Sequence, residues 1–193
     1  MPKNLPDWWV QPSLVSAWGR RWVLVAAIAT AMAFISDPIA ASAAETGIRT
    51  GTSGLPIPRF VSLKASRVNV RIGPGENYKI AWVFVRPGLP IEVIQEFETW
   101  RRIRDSDGTV GWVFQSLLSG KRNAVVAPWS NEDQRPIRSA ASENSAITAY
   151  LGPGVMAEIE RCDDGWCRLS GSNFRGWIVQ DQLWGVYPGE EIN

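Results

Sequence analysis

Short apolar runs separated by turn-forming residues dominate the chain from Phe60 onward. The runs are roughly four to eight residues long, are rich in Val, Ile, Trp and Phe, and are interrupted by Gly, Pro, Asp and Ser. This pattern is typical of β-strands joined by tight turns, because successive side chains of a strand point to opposite faces. We therefore expect an all-β protein, with strands over VNVRI, IAWVFV, PIEVIQEF, WRRIR and VGWVFQ in the first half and over AITAYL, MAEIERC, WCRLS and FRGWIVQ in the second half.

A longer apolar run near the N-terminus has a different character. Residues 22–35, WVLVAAIATAMAFI, follow a basic segment and carry no charge. The run is shorter than the ~20 residues that a membrane-spanning helix needs, and the small residues ASA that end at Ala43 suit a signal peptidase. The pattern predicts a signal peptide over residues 1–44 and export to the periplasm or the exterior. An uncleaved anchor is the alternative.

The two halves of the remaining chain are copies of each other. Residues 87–120 align with residues 153–185 with one gap, and the identities include Trp100 with Trp166. A repeat of this length corresponds to a small domain rather than to a solenoid unit. The segment before the first copy is rich in Thr, Gly, Ser and Pro, which indicates a flexible tether. The predicted organisation is a signal peptide (1–44), a flexible linker (45–59), a first domain (60–122), a second domain (123–187) and a tail (188–193).

The first copy reads RVNVRIGPGENYKIAWVFVRPGLPIEVIQEFETWRRIRDSDGTVGWVFQSLLSG. It resembles the bacterial SH3-like domain family, whose pattern combines an N-V-R-x-G-P strand and turn, a central apolar strand, a tryptophan that opens the next strand, and a closing G-W-V. The second copy keeps the tryptophan and a closing G-W-I, but has PIRSAASEN in place of NVRIGPGEN. The resemblance implies two small five-stranded SH3-like barrels that bind peptidoglycan or peptides. The matching residues of the first copy are Asn69, Val70, Arg71, Gly73, Pro74, Trp100, Gly111, Trp112 and Val113.

Strand alternation indicates which aromatic residues face away from the core. If Ile103 is buried, Trp100 lies on the opposite face of its strand, and Trp166 has the same relation to Leu169. In eukaryotic SH3 domains, aromatic residues at this point and in the later Gly-aromatic motif line a peptide groove. The alternative for each tryptophan is packing in a thin core. The resemblance thus makes candidate ligand residues of Trp100, Trp112, Trp166 and Trp177; we add Tyr78, which could stack on a ligand, and Arg71, which could pair with a carboxylate or brace the turn.

The two cysteines, Cys162 and Cys167, flank a strong hairpin signal, Asp164-Gly165. With those two residues as the loop, the cysteines oppose each other on antiparallel strands, with Cα atoms roughly 4.5–5.5 Å apart, within the range of a disulfide. Two thiolates without histidine leave zinc coordination incomplete, and the C-x-x-C spacing of redox motifs is absent. The spacing predicts a structural disulfide formed in an oxidising compartment, with neither a metal nor a cofactor.

Charge narrows the class of partner. Without the predicted signal peptide, acidic and basic residues balance, so electrostatics do not favour nucleic acid, and no basic run favours a membrane surface. The chain has no histidine, which removes the usual general base and the Ser-His and Cys-His pairs. The mixed charges around Glu96, Glu98 and Asp105 predict a solvated face.

These expectations combine into one function. We expect an exported, non-enzymatic protein that binds peptidoglycan or an extended peptide of the cell envelope through grooves near Trp100 and Trp166. The alternative is a structural adaptor that docks another envelope protein through its barrels. A hydrolase is a third class, for which the sequence supplies no nucleophile–base pair.

Overall fold

The computed structural model describes residues 49–131 and 133–193, and the predicted signal peptide lies outside them. Every regular element in this part is a β-strand apart from two single-turn 3₁₀ helices, at Gln115–Leu117 and Gln180–Gln182, which confirms the all-β class. The first strands are β1 (Arg49–Thr50), β2 (Pro56–Ile57), β3 (Arg59–Leu63), β4 (Val68–Arg71), β5 (Ile80–Phe84), β6 (Pro90–Phe97), β7 (Trp100–Arg104), β8 (Val110–Phe114) and β9 (Leu118–Ser119). The others are β10 (Asn123–Val126), β11 (Arg135–Arg138), β12 (Ile147–Leu151), β13 (Met156–Asp163), β14 (Trp166–Ser170), β15 (Arg175–Val179) and β16 (Leu183–Trp184).

Two seven-stranded antiparallel sheets share one strand order. The order is β5-β4-β8-β7-β6-β3-β9 in the first sheet and β12-β11-β15-β14-β13-β10-β16 in the second. We call them the first and the second domain, and their equivalent orders confirm that the repeat encodes one fold twice. The resemblance implied five strands per domain. The apolar pattern missed β3 and β9 of the first domain, because RFVSL mixes polar and apolar residues and β9 has only two residues.

The first sheet curls around its own core. Val70 on β4 and Val93 on β6 belong to one buried cluster, although β8 and β7 lie between these strands in the sheet. In a flat sheet, three strand spacings would separate them by about 14 Å, so the shared cluster requires the sheet to bend towards a barrel. The buried residues of this core are Val61, Leu63, Val68, Val70, Ile91, Val93, Ile103 and Val113.

The core of the second domain has smaller side chains at equivalent places. Ala124 and Ala157 face each other across β10 and β13, where the first domain pairs Val61 with Ile91. Both cysteines, each fully buried, belong to this core. The disulfide is therefore part of the packing of the second domain.

The segment before β3 differs from the expected flexible linker. Residues 49–57 contain a two-stranded hairpin in which Arg49 pairs with Ile57. The hairpin is held to the first domain by Glu96 of β6, which accepts hydrogen bonds from the backbone N–H of Ser53 at 2.8 Å and from its hydroxyl at 2.7 Å. The composition indicated a tether because Thr, Gly, Ser and Pro serve tight hairpins as well as open linkers.

The predicted tail also returns to the fold. The backbone N–H of Ile192 donates a hydrogen bond to the carbonyl oxygen of Cys162 at 3.0 Å, and the reverse bond measures 2.9 Å. Arg122 Nη1 lies 2.6 Å from a carboxylate oxygen of Glu190. These contacts place the last residues against the hairpin of the second domain.

The two domains pack on each other through the outer face of β3 and β6. The ring of Phe60 lies 5.0 Å from that of Trp184 and 4.6 Å from that of Tyr187. Tyr187 donates a hydrogen bond from its hydroxyl to Glu92 at 2.9 Å, and Trp184 Nε1 donates one to the carbonyl oxygen of Pro90 at 3.1 Å. Burial, reinforced by the neighbouring Glu92 carboxylate, raises the pKa of Tyr187 far above its ordinary value.

The residues between Arg49 and Asn193 that the structure describes contain no helix long and apolar enough to cross a membrane.

Candidate functional site

Trp100 opens β7 on the side of the strand opposite to Ile103, which belongs to the core. The expected accessible anchor is not present there, because Trp100 is only 8% exposed. Its ring packs edge-on against Phe114 of β8, with 5.5 Å between the ring centroids, and Phe114 is its partner in the sheet register. The ring of Phe114 therefore covers the face of Trp100 that strand alternation predicted to be exposed.

Trp166 occupies the equivalent place in the second domain, at the start of β14. Its partner in the register is Val179, which is smaller than Phe114, and Trp166 remains partly exposed. The ring borders a groove of about 550 Å³, a size suited to a small ligand or to part of an extended one. The groove is lined by Gln134, Arg135, Pro136, Arg138, Glu143, Trp166, Ile178, Val179, Asp181 and Gln182.

Both Gly-Trp motifs place their tryptophan between two arginines of neighbouring strands. Cross-strand neighbours in a sheet lie close enough for their side chains to interact, and both tryptophans are partly buried. The arrangement is the same in the two domains, which favours a role in the fold over a role in one ligand site. The rows are Arg71, Trp112 and Arg102 in the first domain, and Arg138, Trp177 and Arg168 in the second.

Arg71 braces the turn that follows β4. Its Nη1 donates a hydrogen bond to the carbonyl oxygen of Tyr78 at 2.6 Å, and Arg138 makes the same bond to Ser145 at 2.8 Å in the second domain. The ring of Tyr78 lies on Gly73, where a Cβ atom would come within 2.4 Å of it, and 47% of the residue is exposed. Of the two roles expected for Arg71, the contacts show the brace, and ligand contact by Tyr78 stays a prediction.

The predicted ligand residues therefore do not form one site. Trp166 lines the groove of the second domain, whereas Trp177 lies in a cross-strand row of the same sheet. Within the two described ranges, no group of three or more Cys, Asp or Glu side chains is arranged to hold a metal ion. The groove can supply an aromatic wall, two guanidinium groups and two carboxylates, which suits recognition of a polar ligand. The other four predicted ligand residues belong to the first domain and do not line this groove: Trp100, Trp112, Tyr78 and Arg71.

A family model for the bacterial SH3 domain matches residues 64–120 and, again, residues 131–185. The chain belongs to the bacterial SH3 domain family. Each match falls on one of the two sheets, so the predicted tandem arrangement is confirmed. No curated protein matches the chain.

Three solved structures are similar to this tandem of bacterial SH3 domains. NlpC2 from Trichomonas vaginalis is 15% identical over 66% of this chain and 48% of its own, with a TM-score of 0.31. NlpC1 from the same organism is 13% identical over 70% of this chain and 48% of its own, with a TM-score of 0.32. An NlpC/P60 family protein from Bacillus cereus is 10% identical over 67% of this chain and 57% of its own, with a TM-score of 0.30. The chain thus spans about half the length of the structures that it matches.

The disulfide of the second bacterial SH3 domain forms as predicted. Cys162 and Cys167 are bonded and face each other in the register of β13 and β14. The turn between them uses Asp164 and Gly165, both with positive φ, which is the backbone that an Asp-Gly hairpin adopts. Because both sulfurs are fully buried, the bond is a structural link and not an accessible thiol site.

The first bacterial SH3 domain has a buried ion pair at the same place. Glu96 and Arg101 face each other in the register, with 3.3 Å between Arg101 Nε and the carboxylate. Burial raises the pKa of Glu96, but hydrogen bonds from Ser53, Arg59 and Thr52 outweigh that effect and lower it to about 2. The expected solvated face is wrong for Glu96, whose side chain is 0% exposed.

Two arginines of the groove, Arg135 and Arg138, were not predicted as ligand residues. Extending the alignment of PIRSAASEN with NVRIGPGEN by one residue sets Arg135 against Val68. The two residues also hold the same place in the sheets, since Val68 pairs with Phe84 and Arg135 with Leu151. A charged residue at a position that is core in the other copy is the signal that points to this groove.

Proposed function

We propose that this chain is an exported, non-enzymatic binding protein of the cell envelope that recognises peptidoglycan or an extended peptide. The binding site is the groove of the second bacterial SH3 domain. The observation that carries the proposal is the partly exposed ring of Trp166 at the edge of a groove of about 550 Å³. Aromatic side chains held on rigid strands provide large contact area at a low cost in conformational entropy, and they are frequent anchors in binding sites.

The difference between the two domains supports this choice of site. Trp100 and Trp166 open equivalent strands, but Phe114 packs on the first ring whereas Val179 faces the second. The tryptophan ring at this position is thus covered in the first domain and partly exposed in the second. The first domain then acts as a rigid support that positions the second through their packed interface.

Two features support a role in binding rather than catalysis. Both cysteines are held in the buried disulfide, so neither is available as a nucleophile. The chain also has no histidine to act as a general base for a serine or threonine. We therefore assign no reaction to the groove.

Export is supported by the disulfide and by the N-terminal pattern. Disulfides persist in oxidising compartments such as the periplasm and the cell exterior, and the basic segment followed by a short apolar run is typical of a secretory signal. Expression with the native N-terminus, followed by cell fractionation and mass measurement of the mature chain, tests this part. Retention of residues 1–44 in a cytoplasmic fraction would contradict it.

A pull-down with purified murein sacculi tests the binding site. We expect the wild-type chain to be retained and Trp166→Ala to lose about tenfold or more in affinity, as large aromatic anchors do. Phe97→Ala is the matched control, because Phe97 is an aromatic residue 48% exposed in the hairpin of the first domain. Equal retention of wild type and Trp166→Ala at two salt concentrations would show that the groove is not the site.

The structural adaptor stays the second candidate, because two edge strands expose apolar residues. β5 and β12 each end a sheet, and Ile80, Val85 and Tyr150, in or next to these strands, are 47%, 71% and 58% exposed. Unpaired strand edges can accept a strand from a partner. Cross-linking in cells distinguishes the two functions: one dominant protein partner together with no retention on sacculi favours the adaptor.

A further inference from the structure

Arg135 occupies a position that the first domain uses for its core. Its counterpart, Val68, is the first residue of β4, is 0% exposed and packs in the core of the first domain. Arg135 opens β11 at the equivalent register position and lines the groove beside Trp166. An arginine at the place of a core valine costs free energy of desolvation unless its donors are bound, so its presence calls for a partner.

Residues 49–131 and 133–193 do not provide that partner. The side chain of Arg135 is only 20% exposed, and its Nε is buried without a hydrogen-bond partner among the described residues. Among the described residues, Arg135 forms an ion pair with Asp133, whose carboxylate lies 3.7 Å from Nη1 and is 76% exposed. This distance is beyond that of a hydrogen bond, and an exposed ion pair is weak in water. Arg138, in the same groove, donates to the carbonyl oxygen of Ser145, whereas Arg122 pairs with Glu190 at 2.6 Å. Arg135 thus differs from these two arginines, because its side chain donates no hydrogen bond to a residue that the structure describes.

We propose that Arg135 binds a carboxylate of the ligand that lies in the Trp166 groove, an inference that rests on the proposed function. The planar guanidinium presents Nε–H and Nη–H donors in a fork that matches both oxygens of a carboxylate. The ring of Trp166 supplies the apolar contact on the wall of the same groove. Glu143 and Asp181 also line it, so further carboxylates of the ligand are repelled from their part of the groove. The ligand class is therefore an extended peptide segment with a free carboxylate placed at Arg135.

Chemical amidation of the ligand tests this assignment without changing the protein. Purified sacculi are divided, and the free carboxylates of one half are converted to amides with a carbodiimide and ammonium chloride. We expect wild-type protein to bind amidated sacculi at least about tenfold more weakly than untreated sacculi, because a charge-assisted hydrogen bond to a carboxylate is lost. Arg135→Gln should bind both preparations equally and as weakly as wild type binds the amidated one. Arg135→Lys, which keeps the charge but not the fork, should recover only part of the difference.

Arg161→Gln is the matched control, because Arg161 is an exposed arginine of β13 and its substitution changes the net charge by the same amount. It should keep the full difference between the two preparations. Equal binding of wild type to untreated and amidated sacculi, with binding still lost in Trp166→Ala, would overturn the carboxylate assignment and leave the proposed function standing. Failure of wild type to bind untreated sacculi would overturn both. Because the amidation arm uses wild-type protein, the outcome does not depend on the folding of any variant.

Discussion

The buried carboxylate of Glu96 gives the fold a measurable dependence on pH. Hydrogen bonds from Ser53, Arg59 and Thr52 outweigh the cost of its burial and lower its pKa from 4.5 to about 2. The folded state therefore favours the charged form, and a difference of this size corresponds to about 3 kcal/mol of folding free energy at neutral pH. At pH 7 we expect Glu96→Gln to lower the free energy of unfolding by about 3 kcal/mol, since it also leaves the buried Arg101 without a charged partner.

The direction of the pKa shift fixes the sign of the pH dependence. Because the folded-state pKa lies below the unfolded value, the stabilisation from Glu96 is fully present above a pH of about 4.5 and is lost as the pH falls towards about 2. Between pH 7 and pH 3, wild type should lose about 2 kcal/mol of unfolding free energy through this one group. Glu96→Gln lacks this contribution and should show a correspondingly flatter dependence.

Urea unfolding at pH 7 and at pH 3, followed by tryptophan fluorescence, measures both quantities. Glu98→Gln is the control, because it removes an exposed carboxylate from the same hairpin and should follow wild type at both pH values. If wild type and Glu96→Gln lose equal amounts of unfolding free energy between pH 7 and pH 3, the assignment of the pH dependence to Glu96 is wrong.

Two further predictions concern the second domain and the interface. Replacing Cys162 and Cys167 together by Ala should lower the free energy of unfolding by about 2 kcal/mol, at the low end for disulfides because the closed loop is short; calorimetry with and without reductant checks this, and an unchanged melting temperature after complete reduction would contradict it. Tyr187→Phe removes a hydrogen bond to the buried Glu92 and should cost about 1–2 kcal/mol in chemical unfolding, while Tyr150→Phe, at a tyrosine 58% exposed, should change little.

The sequence was sufficient where local chemistry determines the geometry. Asp164-Gly165 has strong turn preferences, and it set the register that places Cys162 opposite Cys167. The repeat likewise predicted two copies of one fold, because the alternation of apolar residues within each strand decides which face is buried. Ile103 and Leu169 are both fully buried, as that alternation indicates.

The sequence was insufficient where contacts join distant segments. Alternation placed Trp100 on the outer face, but the packing of Phe114 on it depends on the register between β7 and β8. Glu96 looked like a surface carboxylate because Ser53, which lies 43 residues earlier in the chain, is the residue that covers it. Arg135 was missed because a single arginine at the start of a strand is ordinary until its counterpart, Val68, is known to be core.

The equivalent hairpin of each domain holds a buried cross-strand pair, but the chemistry of the pair differs between the domains. The segment that covers the pair comes before the sheet in the first domain and after the sheet in the second. In the first domain, the buried pair of Glu96 and Arg101 is covered by the hairpin that precedes the sheet. In the second, the buried disulfide is covered by Ile192, which follows the sheet. A domain of about 60 residues buries too small a share of its surface to shield every group at its edges from water by itself. Each copy is therefore covered by the chain segment that adjoins it in the sequence. Domains cut at the limits of the family matches, 64–120 and 131–185, therefore lack these covers, and the first would also lose Arg59, a hydrogen-bond donor to Glu96.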